Sequence, residues 1–290
     1  MISALQLGQI DYSTGLRLQE KLVSLRKDSR VGDVLLLLEH TPVITLGRNA
    51  KTKNILASPE LLAQRGIEVC ECDRGGDVTF HGPGQLVAYP ILDLRGFPST
   101  SGTRTSLGAI EYVRRLEEVL IRTCADFGIP TKRIVGLTGV WTDPIADSSS
   151  AAFGDSRVGT GALACQAESK IRQIAASEAK IAALGVHISR GVTSHGIALN
   201  VNPDLTFFDL IVPCGITSKP VTSMSKEVKR DLAMQEAAHS LSRNFGTVFN
   251  SQILWLDNLD ALLGNNVGIP SNEPQNLRKI RGEDDSTFWA

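Results

Sequence analysis

The stretch Arg74-Gly75-Gly76-Asp77-Val78-Thr79-Phe80-His81-Gly82-Pro83-Gly84-Gln85 sets the strongest limit on what this chain can fold into. It holds four glycines, one proline, one arginine and one histidine in twelve residues. A solvated linker would use more serine and lysine, and a structural turn needs only one or two glycines. Glycine at this density lets backbone amides come close to a ligand where side chains would block them. The flanks read as strands, residues 67–72 before and 86–94 after, rich in valine, isoleucine and leucine. A glycine loop between two strands, carrying Arg74 and His81, reads as a binding wall. The competing reading is a tight hairpin with incidental polar residues.

The chain has 290 residues, enough for one large domain or two small ones. Its hydrophobic share of 42% is ample for a buried core, and the formal net charge of −1 gives no pull toward nucleic acid or an anionic membrane. No apolar run approaches the ~20 residues that span a bilayer. Five cysteines, an odd number widely scattered, argue against a disulfide framework and for a reducing compartment. No targeting segment is visible: residues 5–7 already read as a strand, and Asp11 and Glu20 are acids that a transit peptide avoids. One domain is expected over residues 1–263, followed by a polar tail over 264–290 that contains Pro270 and Pro274.

Strands and helices are interspersed along the chain. An amphipathic helix is expected over 12–30, with Leu16, Leu18, Leu22, Val23 and Leu25 as its apolar positions. Val34-Leu35-Leu36-Leu37-Leu38 is a continuous apolar run that predicts a strand buried on both faces, and 43–46 predicts another. The longest helical pattern covers 103–127 and is stopped by Gly128 and Pro130. A strand follows at 139–142. Residues 143–177 are rich in serine, alanine and glycine, and too poor in large apolar side chains to pack. Within them, Gly159-Thr160-Gly161-Ala162-Leu163-Ala164 loosely matches a dinucleotide fingerprint, but no strand precedes it, so chance is the better reading. Strand character returns at 180–188 and 193–201, followed by helices over 226–241 and 254–263.

No zinc spacing occurs among the cysteines and histidines. Cys70 and Cys72 share a strand face, where core packing is the expected role. Cys124 fits the buried face of the long helix, and Cys165 lies in the 143–177 segment. Cys214 differs, because Pro213 and Gly215 fix a loop and expose the amides around its sulfur; a buried inert cysteine is the alternative. His40, His187, His195 and His239 lack a local signature and read as structural or surface residues. Lys180 opens an apolar strand, where snorkelling is the common role and catalysis the alternative.

Together these residues resemble the lipoyl(octanoyl) transferases. The stretch from Arg74 through Gln85 continues as Leu86-Val87-Ala88-Tyr89, in keeping with that family's signature. Lys180-Ile181-Ala182-Ala183-Leu184-Gly185, Ser194-His195-Gly196-Ile197-Ala198-Leu199-Asn200 and Pro213-Cys214-Gly215 follow in the family's order. The similarity runs from about residue 5 to 224. It implies an α/β (α+β) fold, a single domain with a central mixed β-sheet and flanking helices, shared with the lipoate and biotin protein ligases. It implies that Cys214 is the acyl-thioester nucleophile and Lys180 its partner base. By position, Arg74, Gly75, Gly76, Asp77, Val78, Thr79, Phe80, His81, Ala183, Leu184, Gly185, Gly196, Ile197 and Ala198 match the family's acyl-substrate contacts.

The implied donor is octanoyl-acyl-carrier protein. The implied acceptors are lysines on the lipoyl domains of 2-oxoacid dehydrogenase complexes and on the glycine cleavage H protein. Neither ATP, a metal nor another cofactor is expected, because a thioester is already activated. A cysteine that accepts and then releases the acyl group splits one transfer into two easier steps. A neighbouring ammonium favours its thiolate. Lys180, desolvated by Ile181, Ala182 and Leu184, is suited to move that proton, and the glycine-rich backbone to stabilise the oxyanion. The 143–177 segment departs from bacterial members, which have a short turn there; it suggests a eukaryotic, fungal member and hence a mitochondrial location. The rivals are an ATP-dependent lipoate ligase, an amidotransferase between proteins, and a non-catalytic acyl-protein binding module. A ligase would have an aspartate after the histidine, and here Gly82 follows His81.

Overall fold

The computed structural model describes residues 1–99, 106–143, 178–216 and 219–262. Its first half runs β1 (Ile2–Ile10), α1 (Tyr12–Lys27), β2 (Asp33–His40), β3 (Val43–Leu46), α2 (Pro59–Gln64), β4 (Glu68–Glu71), β5 (Val78–His81) and β6 (Gln85–Ile91). Then come α3 (Ala109–Asp126), β7 (Thr131–Ile134), β8 (Leu137–Thr142), β9 (Lys180–Ser189) and β10 (Val192–Asn200). The chain continues with α4 (Met224–Val228), α5 (Met234–Val248), β11 (Ile253–Trp255) and α6 (Leu259–Leu262).

Eight strands form one mixed sheet in the order β11-β1-β2-β6-β10-β9-β8-β7, parallel across β11, β1 and β2 and antiparallel from β2 onward. The apolar run in β2 explains its central place, since all five side chains are at most 2% exposed. Alternation sends Leu35 and Leu37 to one face, against Leu116 and Leu120 of α3 and Leu241 and Phe245 of α5. Val34, Leu36 and Leu38 face the other way, against Leu18, Leu22 and Leu25 of α1. The Asp11 carboxylate caps α1 by accepting from the Thr14 amide at 2.8 Å, which fixes where that helix begins. A second sheet, β4-β3-β5, packs around Ile44, Phe80 and Phe208 as a separate small core.

Several expectations are corrected. The stretch from Arg74 to Gln85 is two turns flanking a strand, because Val78-Thr79-Phe80-His81 alternates and pairs with β3. The helix expected over 226–241 is two helices, broken at Lys229, which adopts a left-handed conformation. Part of the helical stretch expected over 254–263 is instead β11, which gains its hydrogen bonds from β1. Strand β7 had no separate signal. Cys70 and Cys72 are only partly buried and do not fill a core. Apart from Asp143, the 143–177 segment lies outside the described residues, with Cys165 and the Gly159–Ala164 resemblance; so does the tail over 264–290. Among the described residues no helix is long and apolar enough to cross a membrane.

Candidate active site

Lys180 and Cys214 are brought together by a backbone connection that is remote in sequence. The Lys180 amide donates to the Pro220 carbonyl at 2.8 Å, and the Thr222 amide donates to the Lys180 carbonyl at 2.9 Å. This pairing carries the 211–216 turn back over the start of β9. The turn's other end is tied by the Val212 amide, which donates to the Asn54 carbonyl at 2.7 Å. Between these ties Cys214 (φ 56) and Gly215 (φ 68) are both left-handed, a conformation that strains the cysteine and points to a functional constraint. The Lys180 ammonium then lies 3.2 Å from Cys214 Sγ. Lys180 is 6% exposed, and its Nζ sits 5.2 Å from the centroid of the buried Trp141 ring. Gly139 makes room for it, since a Cβ there would stand 2.7 Å from Lys180 Cε.

The turn preceding β5 is held by its own polar groups. Arg74 is buried and donates to the Thr45 carbonyl and the Asp77 carbonyl, both at 2.7 Å, and to Thr45 Oγ1 and the Gly75 carbonyl. None of these acceptors is a carboxylate, so its charge is spread over backbone dipoles beside the cavity. The Gly75 amide is committed to the Val186 carbonyl at 3.0 Å, which takes it out of any oxyanion site. Asp77 accepts from the Lys51 and Val78 amides and from Asn54 Nδ2 at 2.6 Å, and its Oδ2 lies where a Cβ on Gly215 would press, at 3.0 Å. Asp77 therefore braces the cysteine turn.

Between the two sheets lies a narrow cavity that opens to solvent. Its walls are Ala183, Leu184 and Gly185 of β9, Gly196, Ile197 and Ala198 of β10, with Arg74, Gly76, Thr79, His81 and Cys214. Four residues expected at the substrate do not line this cavity. Val78 and Phe80 point into the small core because β5 alternates, Gly75 is bound to β9, and Asp77 supports the turn. Tyr12, Val87, Tyr89 and His195 line the cavity without having been expected there. Tyr12 carried no signal beyond its place at the start of α1, while Val87 and Tyr89 closed the family signature. His195 sat within a recognised motif, but its partner Asp73 is 122 residues away.

The cavity's polar floor is uncharged apart from Arg74. The His40 ring donates from Nδ1 to the Ile10 carbonyl and accepts the Tyr89 hydroxyl at Nε2, at 2.6 Å. Burial lowers its pKa to about 4. His81 donates from Nδ1 to Gln85 Oε1 at 2.6 Å, and burial together with the neighbouring His40 and Arg74 charges lowers it to about 3. Burial pushes the Tyr12 and Tyr89 hydroxyls far above their ordinary value. Both histidines are therefore neutral near pH 7. Elsewhere, burial raises the Cys124 thiol to about 12, which leaves it inert as a nucleophile. No group of three or more His, Cys, Asp or Glu suited to a metal occurs among the described residues.

A lysine beside a cysteine at a cavity between two sheets marks an α/β domain suited to nucleophilic chemistry. The family model for the lipoyl protein ligase A/B catalytic domain matches residues 11–246. An octanoyltransferase of Koribacter versatilis is 52% identical over 284 residues, 98% of each chain. One of Acidobacterium capsulatum is 54% identical over 265 residues, 91% of this chain and 96% of its own. Among solved structures, a bipartite lipoate protein ligase from Thermoplasma acidophilum superposes with a TM-score of 0.60 at 14% identity, covering 99% of this chain and 94% of that one. Lipoate-protein ligase A bound with ATP gives 0.60 at 14% identity, over 97% and 95%; at such identity these show the shared fold. The chain belongs to the lipoyl protein ligase A/B family and, within it, to the octanoyltransferases, acyltransferases of protein lipoylation. The relatives named are bacterial, and the Koribacter alignment runs across residues 143–177. That removes the ground for a eukaryotic, fungal origin, and with it the basis of the mitochondrial placement.

Proposed function

We propose that the octanoyl group passes through a thioester on Cys214, with Lys180 moving the protons. The observation that carries this reading is the 3.2 Å contact between Lys180 Nζ and Cys214 Sγ beside the cavity. In the first half-reaction the Cys214 thiolate attacks the carbonyl carbon of a donor thioester. A new C–S bond forms, the donor's C–S bond breaks, and the departing thiolate takes a proton from Lys180. In the second, a lysine amine of the acceptor attacks the acyl-cysteine. The C–N bond forms, the C–S bond breaks, and the amine's proton is taken up by Lys180. Octanoyl-acyl-carrier protein is the donor, and lipoyl domains, the H protein included, are the acceptors. An already activated thioester removes any need for ATP.

Intact-protein mass spectrometry after mixing with octanoyl-acyl-carrier protein, with and without ATP, tests this. The expected result is one octanoyl adduct on Cys214, formed without ATP and removed by hydroxylamine. An adduct on Cys70, Cys72 or Cys124, or strict ATP dependence, would overturn it.

A further inference from the structure

The cavity runs along a ladder, and its far end has a built wall. Ala183 pairs with Ala198, Leu184 with Ile197, Gly185 with Gly196, and Val186 with His195. The reactive end lies at the first of these rungs. Val140 pairs with Ala182, so Gly139 stands beside Ala183, and Gly139 is where the Lys180 side chain passes. From that rung to His195 is three residues, about 10 Å of strand. An extended octanoyl chain spans about 9 Å from its carbonyl carbon, given seven C–C bonds of about 1.5 Å in a zigzag. The two lengths agree.

His195 is fixed more firmly than a lining residue requires. Its Nε2–H donates to Asp73 Oδ1 at 2.6 Å, its amide donates to Gln19 Oε1 at 2.7 Å, and its backbone is left-handed within a strand (φ 55). The ring is 3% exposed, and its Nδ1 finds no hydrogen-bond partner among the described residues. Behind it stand Asp73 and His187, 3.4 Å apart, and Arg48, which donates to His187. A longer chain would have to displace the ring and push methylenes into this charged cluster. Such a repulsive element discriminates more sharply than lost contact alone.

We propose that His195, pinned by Asp73, is the end wall that sets the acyl length this enzyme accepts. This rests on the reading that the chain carried by Cys214 lies in the cavity. The role is one of specificity and positioning, at the opposite end from the chemistry.

The test is a competition among acyl-carrier-protein thioesters of six, eight, ten and twelve carbons, read as the mass of the Cys214 adduct. Wild-type protein should load octanoyl and fall off sharply at decanoyl. Each newly buried methylene is worth about fourfold, so His195→Ala should raise the decanoyl-to-octanoyl ratio about 16-fold. Asp73 is 57% exposed, so Asp73→Ala removes only the pin and should fold; it should raise the ratio by less. A merely structural role would lower all lengths alike. An unchanged ratio in folded variants would overturn the proposal, whereas absence of any Cys214 adduct in the wild type would overturn the thioester reading itself.

Discussion

Acidification should destabilise this protein well above the pH at which carboxylates titrate. The native state keeps His40 and His81 neutral down to about pH 4 and 3, whereas both rings in the unfolded chain take up a proton near pH 6.5. Above pH 6.5 neither state holds these protons and the stability is complete. As pH falls below 6.5 only the unfolded chain gains them, so stability drops until the native rings protonate near 4 and 3. Each pH unit in that window is worth about 1.4 kcal/mol per ring. At pH 5 the loss is about 2 kcal/mol for each, or about 4 kcal/mol together, a large part of a typical 5–15 kcal/mol total. At roughly 2–4 °C per kcal/mol, Tm should fall by about 8–16 °C between pH 8 and pH 5. Carboxylates such as Asp93 and Glu118, whose pKa values are lowered by arginine hydrogen bonds, stay ionised in both states over most of this window. Thermal melts from pH 8 to 5, on wild type and His40→Asn, measure the effect. The variant keeps a donor and an acceptor but cannot titrate, so its slope should be clearly shallower, His81 and the buried His195 supplying what remains. A Tm constant within 2 °C, or an unchanged slope in His40→Asn, would refute the reasoning.

Lys180→Arg keeps a cation that cannot give up its proton, so Cys214 acylation should survive in part. Transfer to the acceptor should fall ~100- to 10,000-fold in single-turnover assays; near wild-type transfer would reduce Lys180 to a counter-charge. Gly139→Ala places a methyl 2.7 Å from Lys180 Cε at φ +133 and should cost about 1–3 kcal/mol along with most of the acylation rate. Gly136→Ala carries similar backbone strain with nothing within 4 Å, and it should lose stability while keeping that rate. Asp77→Ala removes the brace under the cysteine turn and should slow acylation more than Asp77→Asn, which retains one acceptor oxygen; equal rates would show that the brace is idle.

What could be read from the sequence depended on how local its cause was. The apolar run in β2 announced a doubly covered strand because burial on both faces leaves no polar position. Cys214 stood out through Pro213 and Gly215, while Lys180 took a catalytic role only from the family resemblance, and their contact depends on residues 220 and 222 pairing with 180, which no local pattern encodes. The alternation Val78-Thr79-Phe80-His81 was present in the sequence but was masked by the glycines around it. Read with a period of two, it separates Thr79 and His81, which face the cavity, from Val78 and Phe80, which do not. Asp73 and His195 remained invisible as a pair because only the fold brings residues 122 positions apart into contact.

The two ends of the cavity are built from different material, and the reaction gives a reason. The far end rests on four consecutive ladder rungs and a ring held from two sides, a rigid mould for one chain. The reactive end rests on a short turn with two left-handed residues, held by ties near 54 and 220, with Cys214 half-buried and Gly215 exposed. On the proposed thioester route, Cys214 must show its sulfur to donor and acceptor in turn while the acyl chain stays in place. A mouth rigid enough to grip the donor would hinder the exchange, and a loose far end would lose the length selection. Placing the strained, half-open backbone at the sulfur and the closed ladder at the methyl end meets both demands. The bracing by Asp77 and the crowding at Gly139 are then where the turn's freedom is limited to what keeps Lys180 and Cys214 in contact.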